Sequence, residues 1–378
     1  MGALYRSALE SVRVVESLDG VDPQEWNALA GGQPFVRHEF LSALIDTGCA
    51  AAQSGWLPQF LLRHRAGALA GAMPLFAKSH SYGEYVFDWA WADAHERHGV
   101  EYYPKLLCAV PFTPVRGQRI LGEDKQVLIE AALQLARGTS SLHVLFPRED
   151  EAGLLAARGL MLRRTVQFHW TNEGYADFDA FLAALSHGKR KNIRQERRRV
   201  REAGVTLRWL EGEAIERRHW EYFNRCYRRT YAAHRSSPYL DLEFFLRVGR
   251  AMPEHTLLVL AERDGGPVAS ALFFRDERRL YGRYWGATEH IPLLHFECCY
   301  YQAIEYAIAR GLEVFEGGAQ GEHKIFRGLL PVETLSAHWL AHPQFARAVE
   351  SFLAREGAGV EAYVDELNER NPFSERSA

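Results

Sequence analysis

Two stretches of this 378-residue sequence share one pattern and lie about half the chain apart. Residues 60–75 and 259–274 each form a pattern of apolar strand, charged turn with glycine, and second apolar strand with small residues. Gly67 and Gly266 supply a turn residue for which a positive φ costs little. Because a short strand and an aromatic-bearing helix precede each stretch, the repeat predicts that the chain folds twice into the same unit.

The C-terminal half gives the clearer pattern of elements. Three meandering strands are followed by a helix and one more strand, which predicts α+β hairpins and a later α/β crossover in one mixed sheet. The predicted elements are helices within 177–203 that break at Gly188, strand 205–210, helices 213–234 and 241–251, strands 256–262, 267–275 and 279–285, helix 293–310, strand 312–316 and helix 343–355.

The N-terminal half predicts a similar mixture of elements. They are strand 12–15, helices 22–30 and 38–47, strands near 57–65, 68–77 and 84–89, helix 123–137, strand 141–146, helix 149–158 and strand 160–169. The proline-punctuated segment 102–114 cannot form one continuous helix, and it lines a cleft or serves as a long connection. The polar stretch 170–178 predicts a boundary that divides the chain into domains 1–172 and 173–378.

Composition excludes several classes of protein. The net charge is −3, so any site for a polyanion must be local. The five cysteines include no CxxC pair, which argues against a disulfide framework or a zinc site, and we predict no metal. The sequence shows no signal peptide and no apolar run long enough to span a bilayer, which favours a cytoplasmic location. The oligomeric state is left open.

A basic run occupies residues 188–201, where eight of the fourteen residues are Lys or Arg. On a helix these side chains cannot all face one way, so part of the surface is a positive ridge. One interpretation is a phosphate contact to a donor such as CoA or tRNA. The other is a solvated helix that pairs with acidic neighbours such as Glu196 and Glu202. The predicted donor-binding residues in this run are Lys189, Arg190, Lys191 and Arg194.

The stretch 282–287 ends a predicted strand and carries two glycines around Arg and aromatic residues. The glycines favour close approach of a ligand, or else a bulge packed under a helix. We predict donor contacts from Arg283 and Gly286, with the backbone near Gly286 holding a carbonyl oxygen. Tyr284, and His295 at the start of the next helix, are predicted to contact the acceptor.

The stretch 316–328 concentrates glycines and ionisable side chains directly after a short strand. Ligands gather at this edge of an open sheet, so we predict acceptor binding and proton handling here; the alternative is a turn whose charges pair with each other. Glu316 or His323 is the predicted base. The spacing matches neither a P-loop nor GxGxxG. The predicted acceptor-binding residues are Gln320, Glu322, Lys324 and Arg327.

Two carboxylates in the N-terminal half, Glu84 and Asp88, lie four residues apart among apolar neighbours. This spacing predicts that they share one strand face and are buried. Because a buried carboxylate requires partners, they form either a second polar site or hydrogen bonds to the following loop.

Several long motifs together resemble a known family. They include KSHSYGEYVFDWAW at 78–91, YYPKLLCAVPFTPVRGQRIL at 102–121, KRKNIRQERR at 189–198 and FEGGAQGEHKIFRG at 315–328. Shorter motifs are QFHW at 167–170, YGRYWG at 281–286, LHFECCYY at 294–301 and TLSAHW at 334–339. The chain resembles the FemABX-like group of the GNAT superfamily, which comprises peptidoglycan biosynthesis or recognition proteins.

The resemblance implies an α/β fold of two tandem GNAT-like domains, each a mixed central sheet flanked by helices. It also implies transfer of an acyl or aminoacyl group to an amine acceptor, either a small molecule or a carrier-linked cell-wall precursor. The implied co-substrate is either acyl-CoA or aminoacyl-tRNA, with no tightly bound cofactor, and tRNA is a partner only under the second alternative. No clean Q/R-x-x-G-x-G/A loop is present, which argues against ordinary acetyl-CoA use. The alternative function is a non-catalytic module that recognises a cell-wall precursor or RNA.

Overall fold

A computed structural model describes residues 12–319 and 321–374. Its strands are β1 (Val12–Val15), β2 (Trp56–Pro58), β3 (Phe60–Arg65), β4 (Ala68–Met73), β5 (Leu75–Lys78), β6 (Lys105–Cys108), β7 (Leu121–Gly122), β8 (Ser141–Leu145), β9 (Met161–Thr171), β10 (Thr206–Glu211), β11 (Thr256–Arg263), β12 (Gly266–Arg275), β13 (Arg279–Ala287), β14 (Val314–Glu316) and β15 (Leu330–Leu340). No helix in the described ranges is both long and apolar enough to cross a membrane.

The helices are α1 (Pro23–Ala30), α2 (His38–Asp46), α3 (Trp89–Arg97), α4 (Lys125–Ala136), α5 (Glu149–Ala156), α6 (Phe178–Ala184), α7 (His187–Glu202), α8 (Arg217–Ala233), α9 (Leu242–Ala251), α10 (Leu294–Phe296, then a π-helical turn at Glu297–Tyr301, then Gln302–Ala309) and α11 (Pro343–Glu369). Their ends follow local sequence signals. Asp22 caps α1 by accepting hydrogen bonds from the backbone N–H groups of Gln24 and Glu25, and Gly31 ends the helix at a φ of 63°.

The chain forms two compact units. Unit 1 comprises the residues up to Thr165 together with Glu333–Glu361, and unit 2 comprises Val166–Val332 together with the residues from Ala362. The second segment of unit 1 is held by strand pairing, since residues 336–340 of β15 pair antiparallel with β8. The sequence predicts one boundary, between residues 172 and 173. It does not predict that the chain returns to unit 1 at Glu333, because long-range strand pairing leaves no local signal.

Unit 1 contains two sheets. The first has the order β1-β3-β4-β7 and is antiparallel; in the second, β15, β8, β6, β5 and β2 are neighbours in that order, with β6 and β8 parallel. Helix α4 covers the apolar side chains of both sheets, and the shared core includes Leu61, Met73, Leu128 and Leu142.

Unit 2 is built on one mixed sheet in the order β10-β11-β12-β13-β14-β9. Strands β10, β11, β12 and β13 pair antiparallel with one another, and β14 pairs parallel with β13. Residues 169–171 of β9 pair antiparallel with β14 at the edge of unit 2. Parallel neighbours require a crossover, and α10 supplies it between β13 and β14. The predicted fold class, a mixed sheet flanked by helices, is confirmed.

The repeated hairpin of the sequence is a repeated hairpin in the structure. The β3–β4 turn consists of Ala66 and Gly67, with φ values of 50° and 88°, and the β11–β12 turn of Asp264 and Gly265, with 52° and 79°. Two-residue turns with positive φ at both positions match the twist of a hairpin. In both hairpins the pairing register shifts by one residue at the same distance before the turn. The counterpart of Gly67 is therefore Gly265 and not Gly266.

Most predicted elements lie within a few residues of their expected ends, and the differences have local causes. Residues 84–89 do not form the predicted strand; they are irregular up to Trp89, which begins α3. The break between α6 and α7 falls at Leu185 and Ser186, which adopt extended backbone, and Gly188 lies inside α7. Helix α11 continues to Glu369 instead of ending near residue 355. Strands β6, β7 and β15 and helix α3 were not predicted.

Gly286 provides a test of the packing in unit 2. A Cβ atom there would lie 2.2 Å from the carbonyl oxygen of Cys226 on α8, so Gly286→Ala forces the helix away from β13. We expect a loss of about 1–3 kcal/mol in the free energy of unfolding, measured by chemical denaturation. The control is Gly188→Ala, which meets nothing within 4 Å inside α7 and should be neutral or stabilising by up to about 1 kcal/mol. Equal stabilities for the two variants would contradict this packing.

Candidate active site

A pocket of about 250 Å³ opens in unit 2 where strand pairing stops. Strand β14 pairs with β13 only from Arg279 to Tyr281, while β13 continues to Ala287. The pocket is lined from Gly282 onward by β13, and on the other side by Phe315 and Gly317, which flank the end of β14. The carboxyl end of a strand beside a parallel neighbour is where ligands bind in open sheets. The position of the pocket therefore agrees with the predicted one.

A β-bulge shapes the β13 wall of this pocket. Leu272 pairs with Tyr284 and Phe273 pairs with Gly282, so Arg283 is an extra residue on β13. Bulges redirect side chains and are frequent next to active sites. Arg283 and Tyr284, both predicted from sequence, line the pocket. The stretch 282–287 was interpreted either as a ligand contact or as a packed bulge. It forms a bulge, and the bulge borders a cavity.

Gly286 has a packing role. Its backbone lies against Cys226 and Thr230 of α8, and Thr230 donates a hydrogen bond of 2.9 Å to the carbonyl oxygen of Trp285. The lack of a side chain at Gly286 is explained by this close helix contact. Its predicted part in binding a donor carbonyl remains a prediction.

The pocket walls are mainly aromatic. Helix α8 contributes Tyr227 and Tyr231, β13 contributes Tyr284 and Trp285, and α10 contributes Tyr300. Among the described residues that line it, Arg283 is the one permanent charge and none is acidic. Such a lining suits a group with flat or apolar surfaces.

Helix α10 presents three side chains to the pocket, one from its first α-helical turn and two from the π-helical turn that follows. His295, predicted to contact the acceptor, lines the pocket together with Cys299 and Tyr300. Burial lowers the pKa of His295 to about 4, so the imidazole is neutral near pH 7 and cannot attract an anion by charge. Cys299 and Tyr300 were not predicted as site residues; they lie in the LHFECCYY motif, but only a π-helical turn brings both to this wall.

Lys324 lies at the edge of the pocket. It belongs to a short 3₁₀ segment, Glu322–Arg327, and its Nζ donates hydrogen bonds to the carbonyl oxygens of Gly317 at 2.6 Å and Gly318 at 3.2 Å. Gly317 itself lines the pocket. Burial lowers the pKa of the Lys324 ammonium group to about 8. A lysine whose pKa lies this near physiological pH, at the edge of a cavity, is a candidate catalytic group.

The two predicted bases occupy different environments. His323 Nε2 lies 3.3 Å from the hydroxyl oxygen of Tyr300, which lines the pocket, and burial lowers the pKa of His323 below its usual value. Glu316 is buried at the end of β14, where its Oε1 accepts a hydrogen bond of 2.8 Å from Arg279, and its Oε2 lies 3.9 Å from His169 Nε2. Glu316 is thus held in an ion pair, although both of its neighbours in the chain line the pocket.

Two further predicted acceptor-binding residues, Arg327 and Glu322, form ion pairs within the fold. Arg327 Nη2 pairs with Glu196 of α7 at 2.8 Å and its Nε donates to Tyr301. Glu322 is exposed and pairs with Arg370 at 2.6 Å. These contacts favour a positioning role for Arg327 and a surface ion pair for Glu322 over the predicted acceptor contacts. Gln320 lies outside the described residues.

A second cavity, an open groove of about 820 Å³, follows one face of helix α7. Three of the four donor-binding residues predicted in the basic run, Arg190, Lys191 and Arg194, line the groove. Lys189 faces elsewhere, with its Nζ 3.5 Å from the ring centre of Phe326. As predicted, the basic side chains do not all face one way. Further basic residues that line the groove are Arg197, Arg198 and Arg201.

Part of the basic run is neutralised within the fold. Arg197 turns inward to Glu297 and Glu305, and Arg198 forms a partly solvated pair with Glu202 at 3.5 Å. Such an exposed pair contributes little stability, so it leaves Arg198 available to an anion. The groove therefore keeps a positive face. Some basic residues of the run pair with acidic neighbours, as the second interpretation expects, and others remain available for a phosphate, as the first expects.

The comparisons with known proteins agree with this fold. A family model for peptidoglycan biosynthesis/recognition, FemAB-like, matches residues 17–375. FemX, at 12% identity, has a TM-score of 0.55 over 87% of this chain and 98% of its own. L-PGS from Bacillus licheniformis, at 12% identity, has 0.55 over 88% and 97%.

A third similar structure is the C-terminal domain of a putative lysylphosphatidylglycerol synthetase from Agrobacterium fabrum. At 10% identity it has a TM-score of 0.53 over 91% of this chain and 95% of its own. No curated protein sequence matches this chain. Likeness at such low identity shows a shared fold, whereas the family model covers nearly the whole sequence. The chain belongs to the FemAB-like family of peptidoglycan biosynthesis/recognition proteins.

Proposed function

We propose that this chain is an aminoacyltransferase that moves an activated aminoacyl group to an amine of a cell-wall precursor, with the reaction in the unit 2 pocket. The observation that carries this proposal is the buried amine of Lys324 at the edge of an aromatic pocket at the end of β14. Membership of the FemAB-like family supports the cell-wall acceptor.

The reaction needs one bond to form and one to break at a carbonyl carbon. The acceptor nitrogen attacks the carbonyl carbon of the donor ester, the carbonyl oxygen becomes negative, and the C–O bond to the donor breaks as the amide forms. The acceptor nitrogen loses a proton and the leaving oxygen gains one. The protein's part is to hold both partners, stabilise the negative oxygen and move the proton.

Lys324 is the group that we assign to the negative oxygen. An ammonium group has three N–H donors, and Gly317 and Gly318 accept from two of them, which leaves one for a bound carbonyl oxygen. Its position is fixed before substrate binds, since both carbonyls belong to the chain itself. A fixed cation in a water-poor site stabilises developing negative charge more than the same cation in water does.

The proton path that geometry favours runs through Tyr300 to His323. Tyr300 lines the pocket, and its hydroxyl lies 3.3 Å from His323 Nε2. Because the pKa of His323 is lowered by burial, its imidazole is neutral near pH 7 and can accept a proton. Glu316 is the less suitable of the two predicted bases, because its carboxylate is paired with Arg279.

The groove along α7 supports aminoacyl-tRNA rather than acyl-CoA as the donor. The basic residues that line it extend from Arg190 to Arg201, about 16 Å along the helix axis. This length exceeds one pyrophosphate and matches several successive phosphates of a nucleic-acid strand. Because charged tRNA is a cytoplasmic molecule, this donor also supports the predicted cytoplasmic location.

Substitutions of Lys324 test its role. In Lys324→Met we expect kcat to fall about 10²–10³-fold with little change in KM, because the loss acts on the transition state. The rate of the unmodified protein should fall as pH rises through about 8, where Lys324 loses its proton. Lys324→Arg stays protonated, so this decline should move to higher pH.

The control for these variants is Lys125→Met in unit 1, where Lys125 forms ion pairs with Asp150 and Glu151. It should retain the rate and the pH profile. A pH profile that is unchanged in Lys324→Arg would remove Lys324 from the mechanism. The kinetic constants and the pH profiles of all these variants are obtained from initial rates of transfer from charged tRNA.

Two matched arginines test the tRNA groove. Arg198 and Arg217 each pair with a glutamate four residues later, but only Arg198 lines the groove. We expect Arg198→Ala to weaken tRNA binding and to lower the slope of log K against log salt by about one, while Arg217→Ala changes neither. The measurement is a filter-binding titration over a range of salt concentrations.

Equal effects of the two arginine substitutions would contradict the groove assignment. Stabilisation of the native protein by acyl-CoA but not by charged tRNA would favour the other donor. Binding of charged tRNA without transfer to any amine would favour a recognition module.

A further inference from the structure

The segment 84–89 of unit 1 reverses the usual arrangement of polar and apolar side chains. Glu84 and Asp88 point inward and are buried, whereas the aromatic residues between and after them, Tyr85, Phe87 and Trp89, are exposed. Burying carboxylates is costly and exposing aromatic rings forgoes hydrophobic stabilisation. A segment that does both stabilises the fold less than the opposite arrangement would, which indicates that the exposed rings serve binding.

Buried ion pairs hold this segment in place. Lys105 Nζ donates hydrogen bonds to Glu84 Oε2 at 2.8 Å and to Asp88, and Lys78 Nζ donates to the carbonyl oxygen of Tyr82 at 3.3 Å. All four charged side chains are almost completely buried. The inward carboxylates thus act as anchors, and the rings outside them are pre-positioned, which lowers the entropic cost of binding.

The rings of Tyr82 and Trp89 pack together with their centres 4.9 Å apart. We call the exposed rings of this region the aromatic patch: Tyr82, Tyr85, Phe87, Trp89 and, from helix α11, Phe352. Tyr82 and Phe87 are the most exposed, at 57% and 60%. Arg163 joins the two segments, because its guanidinium donates a hydrogen bond of 2.8 Å to the carbonyl oxygen of Phe87 and lies 6.0 Å from the ring centre of Phe352.

The size and charge of the patch select among partners. The charged residues of 82–89 are both turned inward, so the outer surface of this segment is neutral and offers no attraction to a polyanion or a charged peptide. The rings expose roughly 500 Å², given about 200 Å² for a whole aromatic side chain. A stable protein interface needs about 800 Å² on each partner. A neutral row of Trp, Tyr and Phe is instead typical of the lipid–water interface.

We propose that the aromatic patch attaches this protein peripherally to the surface of a lipid bilayer, with the rings of Phe87 and Trp89 inserted at the headgroup level. Insertion of these two rings requires no acidic lipid, because segment 82–89 presents no charged side chain to the outside. The attachment does not depend on the transfer chemistry proposed above, and it can be measured without a donor or an acceptor.

The test is co-sedimentation of the full chain with vesicles of phosphatidylcholine alone and with vesicles that also contain phosphatidylglycerol. We expect binding to both, with little dependence on salt. Phe87→Ser and Trp89→Ser should each lower the partition coefficient by about tenfold or more, because each removes an aromatic ring that becomes buried in the bilayer on binding. The matched control is Tyr363→Ser, which alters an aromatic side chain of unit 2 that is exposed to nearly the same extent as Trp89, and this variant should bind like the unmodified protein.

Failure of the unmodified protein to bind phosphatidylcholine vesicles would overturn the proposal. Unchanged binding of the two patch variants, with native circular dichroism, would do the same. Binding only to phosphatidylglycerol vesicles and only at low salt would assign the attraction to basic residues. The unmodified protein could instead bind an immobilised glycan and no vesicles, while both patch variants fail to bind the glycan. That result would assign the patch to a carbohydrate and overturn the proposal.

Discussion

The short pairing of β14 with β13 is the constraint on which the candidate site depends. Because β14 ends at Glu316, the edge of β13 from Gly282 onward is left for a pocket. The carbonyls of Gly317 and Gly318 accept hydrogen bonds from Lys324, and that of Gly318 also accepts one from the backbone N–H of Phe168 on β9. A β14 that continued along β13 would fill the pocket. The geometry of the site thus follows from where one strand stops.

Several features of this site were predictable because their signals are local. The hairpin turns, the basic helix and the glycine-rich stretch after β14 all lie within short windows of sequence. The partner of Arg327, Glu196, and the partner of Glu316, Arg279, are distant in sequence, so no local pattern could assign them. Acceptor binding by Arg327 stays a prediction, made without the information that its charge is already paired with Glu196 within the fold.

The segment 84–89 shows a different limit of sequence patterns. Alternation of inward and outward side chains was expected and is present, but the expected strand is not. The burial of Glu84 and Asp88 was predicted, yet their partner Lys105 was not, because it lies on a strand hidden in the proline-punctuated stretch. In each unit a buried lysine thus holds the backbone beside a surface for which we propose a function, through carbonyls at Lys324 and through carboxylates at Lys105. Burial without such partners would cost several kcal/mol per charge.

A crystal structure with an RNA that carries its aminoacyl group through a stable amide linkage tests the proposed role of Lys324 directly. We expect density for the aminoacyl group between Tyr284 and Tyr300, with its carbonyl oxygen within hydrogen-bond distance of Lys324 Nζ, as this role requires. Density for that group outside the pocket, with Lys324 bonded only to Gly317 and Gly318, would contradict it.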